Sequence, residues 1–151
     1  MTGIVVDASV ALAWCFADEA SEYADAVLIA LEGRPVLVPA VWSLEVTNAV
    51  IAAERRKRVS QPEIRRFVEL LEGLIINEAS LPVARSVSNI LPLAREYGLS
   101  AYDASYLEVA IRHGAPLATL DTGLEKAGRK AGVEILRQKI TTETRRSLRK
   151  H

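Results

Sequence analysis

Two short apolar runs, each ending on an aspartate, constrain this chain more than any other feature. Gly3-Ile4-Val5-Val6 stops at Asp7, and Leu117-Ala118-Thr119-Leu120 stops at Asp121. Apolar runs without polar alternation describe strands covered on both faces, as in a parallel sheet. Val36-Leu37-Val38 reads as another such strand and Val133-Glu134-Ile135-Leu136 as the last. Leu74-Ile75-Ile76 fits either a helix end or a short strand, and periodicity does not choose between them. Strands alternating with helical segments predict an α/β fold, a three-layer α/β/α sandwich with a central, mainly parallel sheet. Ligands of such sheets gather beyond the carboxyl ends of the strands, where Asp7 and Asp121 are expected to lie.

Helices fill the intervals. Ser9 is the expected cap of the first, with Val10, Ala11, Leu12 and Trp14 as its early apolar residues. A second is expected from about Ala20 to Leu31, stopped by Gly33. Pro39 suits the first turn of a third, which carries Trp42, Val46, Ala49, Val50 and Ala53 at helical spacing. Ser60 and Glu63 form a capping box with Pro62 near the helix start, opening a helix through Phe67, Leu70 and Leu71. A helix from about Val83 is expected to be interrupted at Pro92 and to end before Gly98. Another runs from Ser100 to Gly114.

At 151 residues, half of them hydrophobic and a quarter charged, the chain is expected to form a single domain over residues 1–151. From about residue 141 a basic tail lacks apolar periodicity. No apolar run approaches the ~18 residues of a membrane helix. The first apolar run follows no basic segment and is cut by Asp7, so the expected location is the cytoplasm. One cysteine, Cys15, permits no intrachain disulfide and no cysteine-based zinc site. Between Trp14 and Phe16 it reads as a buried, inert thiol. The formal net charge is zero but unevenly spread. Glu54 to Arg66 holds six Lys/Arg against two Glu, and Arg137 to His151 six against one. These segments suit solvated helix ends, or a surface that holds a polyanion beside an otherwise acidic body.

Four acidic residues each admit a plain structural role. Asp7 suits a helix cap, and Asp121-Thr122-Gly123 a turn leaving a strand. Ser100-Ala101-Tyr102-Asp103 matches a capping box. Glu45 falls roughly 80° from the centre of its helix's apolar stripe, at a boundary position. Gathered at one cleft, however, carboxylates raise one another's pKa and call for a compensating cation. Hard oxygen donors, without cysteine or a well-placed histidine, point to Mg2+ or Mn2+. No Gly-rich phosphate loop is present. An aspartyl-phosphate mechanism on Asp7 is weakened because Asp7-Ala8-Ser9 lacks a second acid two residues on.

Ile4-Val5-Val6-Asp7-Ala8-Ser9, Pro39 to Glu45, Leu99-Ser100-Ala101-Tyr102-Asp103-Ala104 and Leu117-Ala118-Thr119-Leu120-Asp121 together resemble the four acidic motifs of PIN domains. The version resembled is the VapC-type toxin of toxin–antitoxin pairs, and the likeness reaches to about Leu136. It implies a metal-dependent endoribonuclease in which Asp7 and Asp103 hold Mg2+ or Mn2+ and Glu45 and Asp121 complete the site. Ser9 and Thr119 resemble hydrogen-bonding supports of that site, with capping and strand-end packing as their alternatives. A further acid often follows the fourth in the family; here Thr122, Gly123 and Leu124 precede Glu125. The implied partners are an RNA substrate, a cognate antitoxin that inserts an Arg or Lys among the acids, and a second copy of the chain. The apolar Ala11–Phe16 segment and the helix from Ala20 to Leu31 are the surfaces expected to serve these contacts. Arg55, Arg56, Lys57 and Arg58 are candidates for holding the RNA backbone. An RNA-processing nuclease outside a toxin pair and a non-catalytic binding scaffold are the alternatives.

Overall fold

The computed structural model describes residues 2–137, so the basic tail lies outside the described residues. Four strands, β1 (Ile4–Val6), β2 (Val36–Val38), β3 (Ile76–Glu78) and β4 (Leu117–Ala118), form one sheet in the order β3-β2-β1-β4. Every pairing is parallel, with Val5 opposite both Leu37 and Leu117 and Val36 opposite Ile76. β1 is wholly buried because strands cover both its edges and its side chains leave no polar face. β3, at the sheet edge, resolves the ambiguous Leu74-Ile75-Ile76 run: Ile76 opens a strand whose Asn77 and Glu78 are exposed. The last strand expected at Val133–Leu136 contracts to one bridge, Ile135 against Leu117. Its register is held by Leu117 N–H to Glu134 C=O (2.9 Å) and Leu136 N–H to Leu117 C=O (2.8 Å).

Among the described residues, seven helices flank the sheet: α1 (Ala8–Cys15), α2 (Glu22–Ala30), α3 (Trp42–Arg55), α4 (Gln61–Glu72), α5 (Val83–Tyr97), α6 (Ala101–His113) and α7 (Thr122–Lys130). The α/β sandwich with a parallel core is therefore the fold observed. α1 is apolar on all sides because it is enclosed, packing on α2, α3 and α4, and α6 packs on β1, β2 and β4 with α5 outside it. Ala11, Ala13, Cys15 and Phe16 are consequently core residues. Within the Ala11–Phe16 segment only Leu12 and Trp14 keep partial exposure. Burial pushes the Cys15 thiol up to about 11, with Glu63 and Glu19 adding to the rise, so it stays protonated and inert.

Local chemistry sets the ends. The Ser60–Glu63 capping box forms as expected, with Pro62 in the first turn. Gly98 and Gly114 terminate α5 and α6 in the left-handed conformation that glycine adopts without strain. Ser21, after a 3-10 turn at Ala17–Glu19, caps α2 two residues later than the sequence suggested. Pro39 lies ahead of α3 and not within its first turn, its carbonyl accepting from Trp42 N–H (3.1 Å). α5 runs through Pro92 without a break. Pro92 and Ser88 are both exposed, so the carbonyl that the proline leaves unpaired is open to water. No helix among the described residues is long and apolar enough to cross a membrane.

Leu107, fully buried where α6 meets the sheet, tests this packing. Leu107→Ala is expected to destabilise the fold by about 3 kcal/mol. The check is urea unfolding: a lowered midpoint at unchanged slope confirms a cavity in an intact core.

Candidate metal centre

All four acids sit where a strand end or loop opens a helix. Asp7 follows β1 and caps α1, its Oδ1 accepting from Val10 N–H (3.2 Å). Asp121 follows the β4 segment and caps α7, its Oδ1 accepting from Leu124 N–H (2.9 Å). Asp103 lies in the first turn of α6, whose cap is the Ser100 hydroxyl, accepting from Asp103 N–H (3.1 Å). Glu45 lies in the first turn of α3. The positive end of a helix dipole thus faces each carboxylate and offsets part of the cost of charging it.

Asp7 is the most constrained. It is buried, and the Ser9 hydroxyl donates to its Oδ1 (2.6 Å) while the Thr119 hydroxyl donates to its Oδ2. Both hydroxyls also accept: Ser9 from Leu120 N–H (3.0 Å) and Thr119 from Asp121 N–H (3.0 Å). Ser9 is therefore a helix residue bridging to the other strand end, and the cap expected of it is Asp7. The two hydroxyls tie the first acidic segment to the last, across more than a hundred residues of sequence.

The charges sense one another. Burial raises the Asp7 carboxyl above its ordinary value of 3.8, opposed by its hydrogen bonds and reinforced by the Asp121 charge. Burial and then the Asp121 charge raise Asp103 likewise, against the Ser100 hydroxyl. Asp121 is the exposed member that couples to both. Glu45 joins through Tyr106, a residue that the sequence reading missed. The buried Tyr106 hydroxyl donates to Glu45 Oε1 (2.5 Å). Burial, the Glu45 bond and charge, and the Asp7 charge all push its phenol well above the usual tyrosine range. A neutral donor therefore stands between Glu45 and Asp7. Its one sequence signal is spacing: Tyr106 follows Asp103 by three positions, on the same face of α6. Tyr23 lies beside the same cluster, raised first by burial and further by Asp7, and donates to Leu136 C=O (2.6 Å).

Among the described residues, no three Asp, Glu, His or Cys side chains stand close enough together to hold a metal ion as placed. The donors fit a hard divalent cation in kind, being carboxylate oxygens with no soft ligand and no ion-pair partner among the described residues. Glu125 is otherwise engaged. It pairs with Arg129 (2.9 Å) and Arg137 (3.5 Å), and the Arg129 bond leads in holding its carboxyl below the ordinary value.

The basic run proves remote and partly occupied. Arg58 pairs with Asp18 (2.9 Å) and Glu19 (3.3 Å) and lies over the Phe16 ring. Arg55 is ten residues along α3 from Glu45, about 15 Å at the helical rise. Because α3 starts at the carboxyl end of β2, its basic end points away from the acids.

The family model described as the PIN domain matches residues 4–130. Among solved structures, PAE2754 from Pyrobaculum aerophilum is similar at 26% identity and a TM-score of 0.62, over 83% of this chain and 79% of that one. FitAcB from Neisseria gonorrhoeae shares the fold at 24% identity and a TM-score of 0.58, over 89% of this chain and 96% of that one. The comparison with curated proteins gives no match.

The raised carboxyls carry a pH signature. A carboxyl whose folded-state pKa is raised contributes stability that is full below about 3.8 and is lost as pH rises through the folded-state value. Asp103→Asn removes one such charge and relieves its neighbours. In EDTA the variant is expected to melt above wild type near neutral pH, with the gap closing below about pH 3.8. Melts followed by circular dichroism across that range check it; a variant less stable at every pH would identify Asp103 as a helix-start residue only.

Proposed function

This chain belongs to the PIN-domain family, and on that premise we propose that it is a Mg2+- or Mn2+-dependent endoribonuclease, the toxin of a VapBC-type toxin–antitoxin pair acting in the cytoplasm. The observation that carries the proposal is the hydroxyl tie between Asp7 and the Asp121 strand end, with Asp121 coupled in turn to Asp103. A purely structural chain gains nothing by holding like charges together.

In this reading Asp7, Asp103 and Asp121 hold the cation and Glu45 completes the set. A divalent cation bound there supplies neutralisation of the acids and Lewis-acid polarisation of the phosphodiester. Ser9 and Thr119 fix the Asp7 carboxylate at the strand end, where Oδ1 accepts two hydrogen bonds and Oδ2 one, so that Oδ2 keeps a lone pair for the cation. Asp121, whose Oδ1 caps α7, offers its Oδ2 to the cation, and the half-buried Asp103 lies near enough to feel the Asp121 charge. Tyr106 stays protonated and occupies Glu45 Oε1, leaving Oε2 to accept the proton of an attacking water. The helix N-termini around the acids present N–H groups to the phosphate. Partners follow from the same charges. An antitoxin Arg or Lys seated among the acids would take the place of the metal and so block RNA hydrolysis. What supports a homodimer is the exposed stripe Val83, Val87 and Leu91, spaced four residues apart on α5.

Cleavage of single-stranded RNA in Mg2+ or Mn2+ is expected, with full loss in EDTA. Asp7→Asn and Asp103→Asn should each lower the rate about 100-fold or more. Tyr106→Phe, which frees Glu45 without altering a charge, should lower kcat about tenfold with KM little changed. Gel assays on a labelled RNA measure all three. Undiminished cleavage in EDTA, or in either aspartate variant, would refute the assignment.

A further inference from the structure

A cavity of about 220 Å³ opens between α5 and α6 at the edge of the sheet that carries the acids. Its walls come from the loops leaving β2 and β3, with Pro39 and Leu81, from Ser86 and Ile90 of α5, and from Tyr102 of α6. Three neighbours set its relation to the candidate centre. Tyr102 immediately precedes Asp103, the Pro39–Val41 loop leads directly into the turn of α3 that bears Glu45, and the β2 and β3 ends are the sheet edge itself. The tyrosine is 61% exposed at the open start of α6, ahead of the helix's buried middle, Ala104 to Ala110.

From this juxtaposition we infer that the cavity receives one unpaired nucleobase of the RNA, next to the phosphate that the acids address. The inference rests on the ribonuclease reading above and adds a recognition site to it. The chemistry suits a base. Apolar walls take an aromatic ring, the Tyr102 face offers stacking, and hydroxyls and backbone groups at Ser80 and Ser86 can meet the polar edge of a base. The volume is below the roughly 300–1,000 Å³ of sites that enclose a whole drug-sized ligand. It accommodates a ring system and leaves ribose and phosphate outside, toward Asp103. Sequence-specific recognition of RNA works in this way, on single-stranded bases splayed from the stack. Tyr102 is thus a specificity residue that contacts the substrate's base and takes no part in the hydrolytic step.

The experiment separates this inference from the reading beneath it. Guanosine, adenosine, cytidine and uridine, which carry no phosphate and need no metal, are titrated into the EDTA-treated full chain and followed by NMR. At least one should shift the amide signals of Leu81, Ser86, Ile90 and Tyr102. Tyr102→Ala, which removes the stacking face, and Ser86→Phe, which fills the cavity from α5, should each weaken that binding at least tenfold. In parallel, cleavage sites are mapped on a random-sequence RNA pool with Mg2+. Wild type should favour one base at a fixed position beside the cut, and both variants should flatten that preference. Cleavage maps identical in wild type and both variants, or nucleosides that move none of these signals, overturn the base site. Signals that respond instead to a bound partner protein, with nucleosides silent, overturn it as well. A wild-type protein that cuts no RNA overturns the ribonuclease reading and is told apart by the nucleoside titration, which does not depend on cleavage.

Discussion

The tie from Asp7 through Ser9 and Thr119 to the Asp121 segment is the interaction on which the acidic edge depends. A buried carboxylate is costly unless its oxygens are hydrogen-bonded. Here two hydroxyls and the Val10 amide meet that need. The same hydroxyls accept amides from the opposite strand end, so desolvation of Asp7 and the docking of β4 on β1 are satisfied by one set of bonds. Removing either hydroxyl would therefore act twice, on the charge of Asp7 and on the position of Asp121.

How much of this was legible in the sequence depends on the range of each interaction. The strands were legible because Ile4-Val5-Val6 and Val36-Leu37-Val38 carry no polar alternation, and only a doubly covered strand tolerates that. The Ser60–Glu63 box was legible because capping is a contact across three residues. The errors have equally local causes. Asp and Ser cap helices about equally well, so sequence could not choose between Asp7 and Ser9. The choice fell to Asp7 because Leu120, more than a hundred residues away, claims the Ser9 hydroxyl. Propensity alone predicts an interruption at Pro92 before the helix resumes to Tyr97, yet exposure of α5 lets water serve the carbonyl that the proline abandons. The final strand falls short of its expectation because Val133-Glu134-Ile135-Leu136 has the pattern of an edge, whereas only Ile135 achieves a bridge.

The candidate site divides along the same line. Its four acids, and Ser9 and Thr119 as hydrogen-bonding supports, could be named from the motifs around them, but the bond that holds Glu45 could not. Tyr106 grips Glu45 from a position 61 residues distant, and nothing near Glu45 announces a partner. The capping box expected at Ser100 and Asp103 shows the complementary case. Ser100 caps the helix, while the Asp103 carboxyl is raised by burial and by Asp121, so its environment is set by tertiary neighbours more than by its own helix.

The distribution of cations then follows from the acids. Arg58 is spent on Asp18 and Glu19, Arg112 on Glu108, and Arg129 and Arg137 on Glu125. None of the four site carboxylates has such a partner among the described residues. An arginine packed permanently against Asp7 or Asp121 would stabilise the free protein, since opposite charge a few ångströms away lowers a carboxylate's pKa and relieves burial. It would also fill the coordination positions that a metal needs. The metal-free edge therefore remains electrostatically unfavourable, and the helix N-termini only reduce that cost. In the proposed function the same imbalance is what a divalent cation, or a basic side chain delivered by another protein, would relieve. Under the proposed function, competition between those two for the same carboxylates would be the means of regulation.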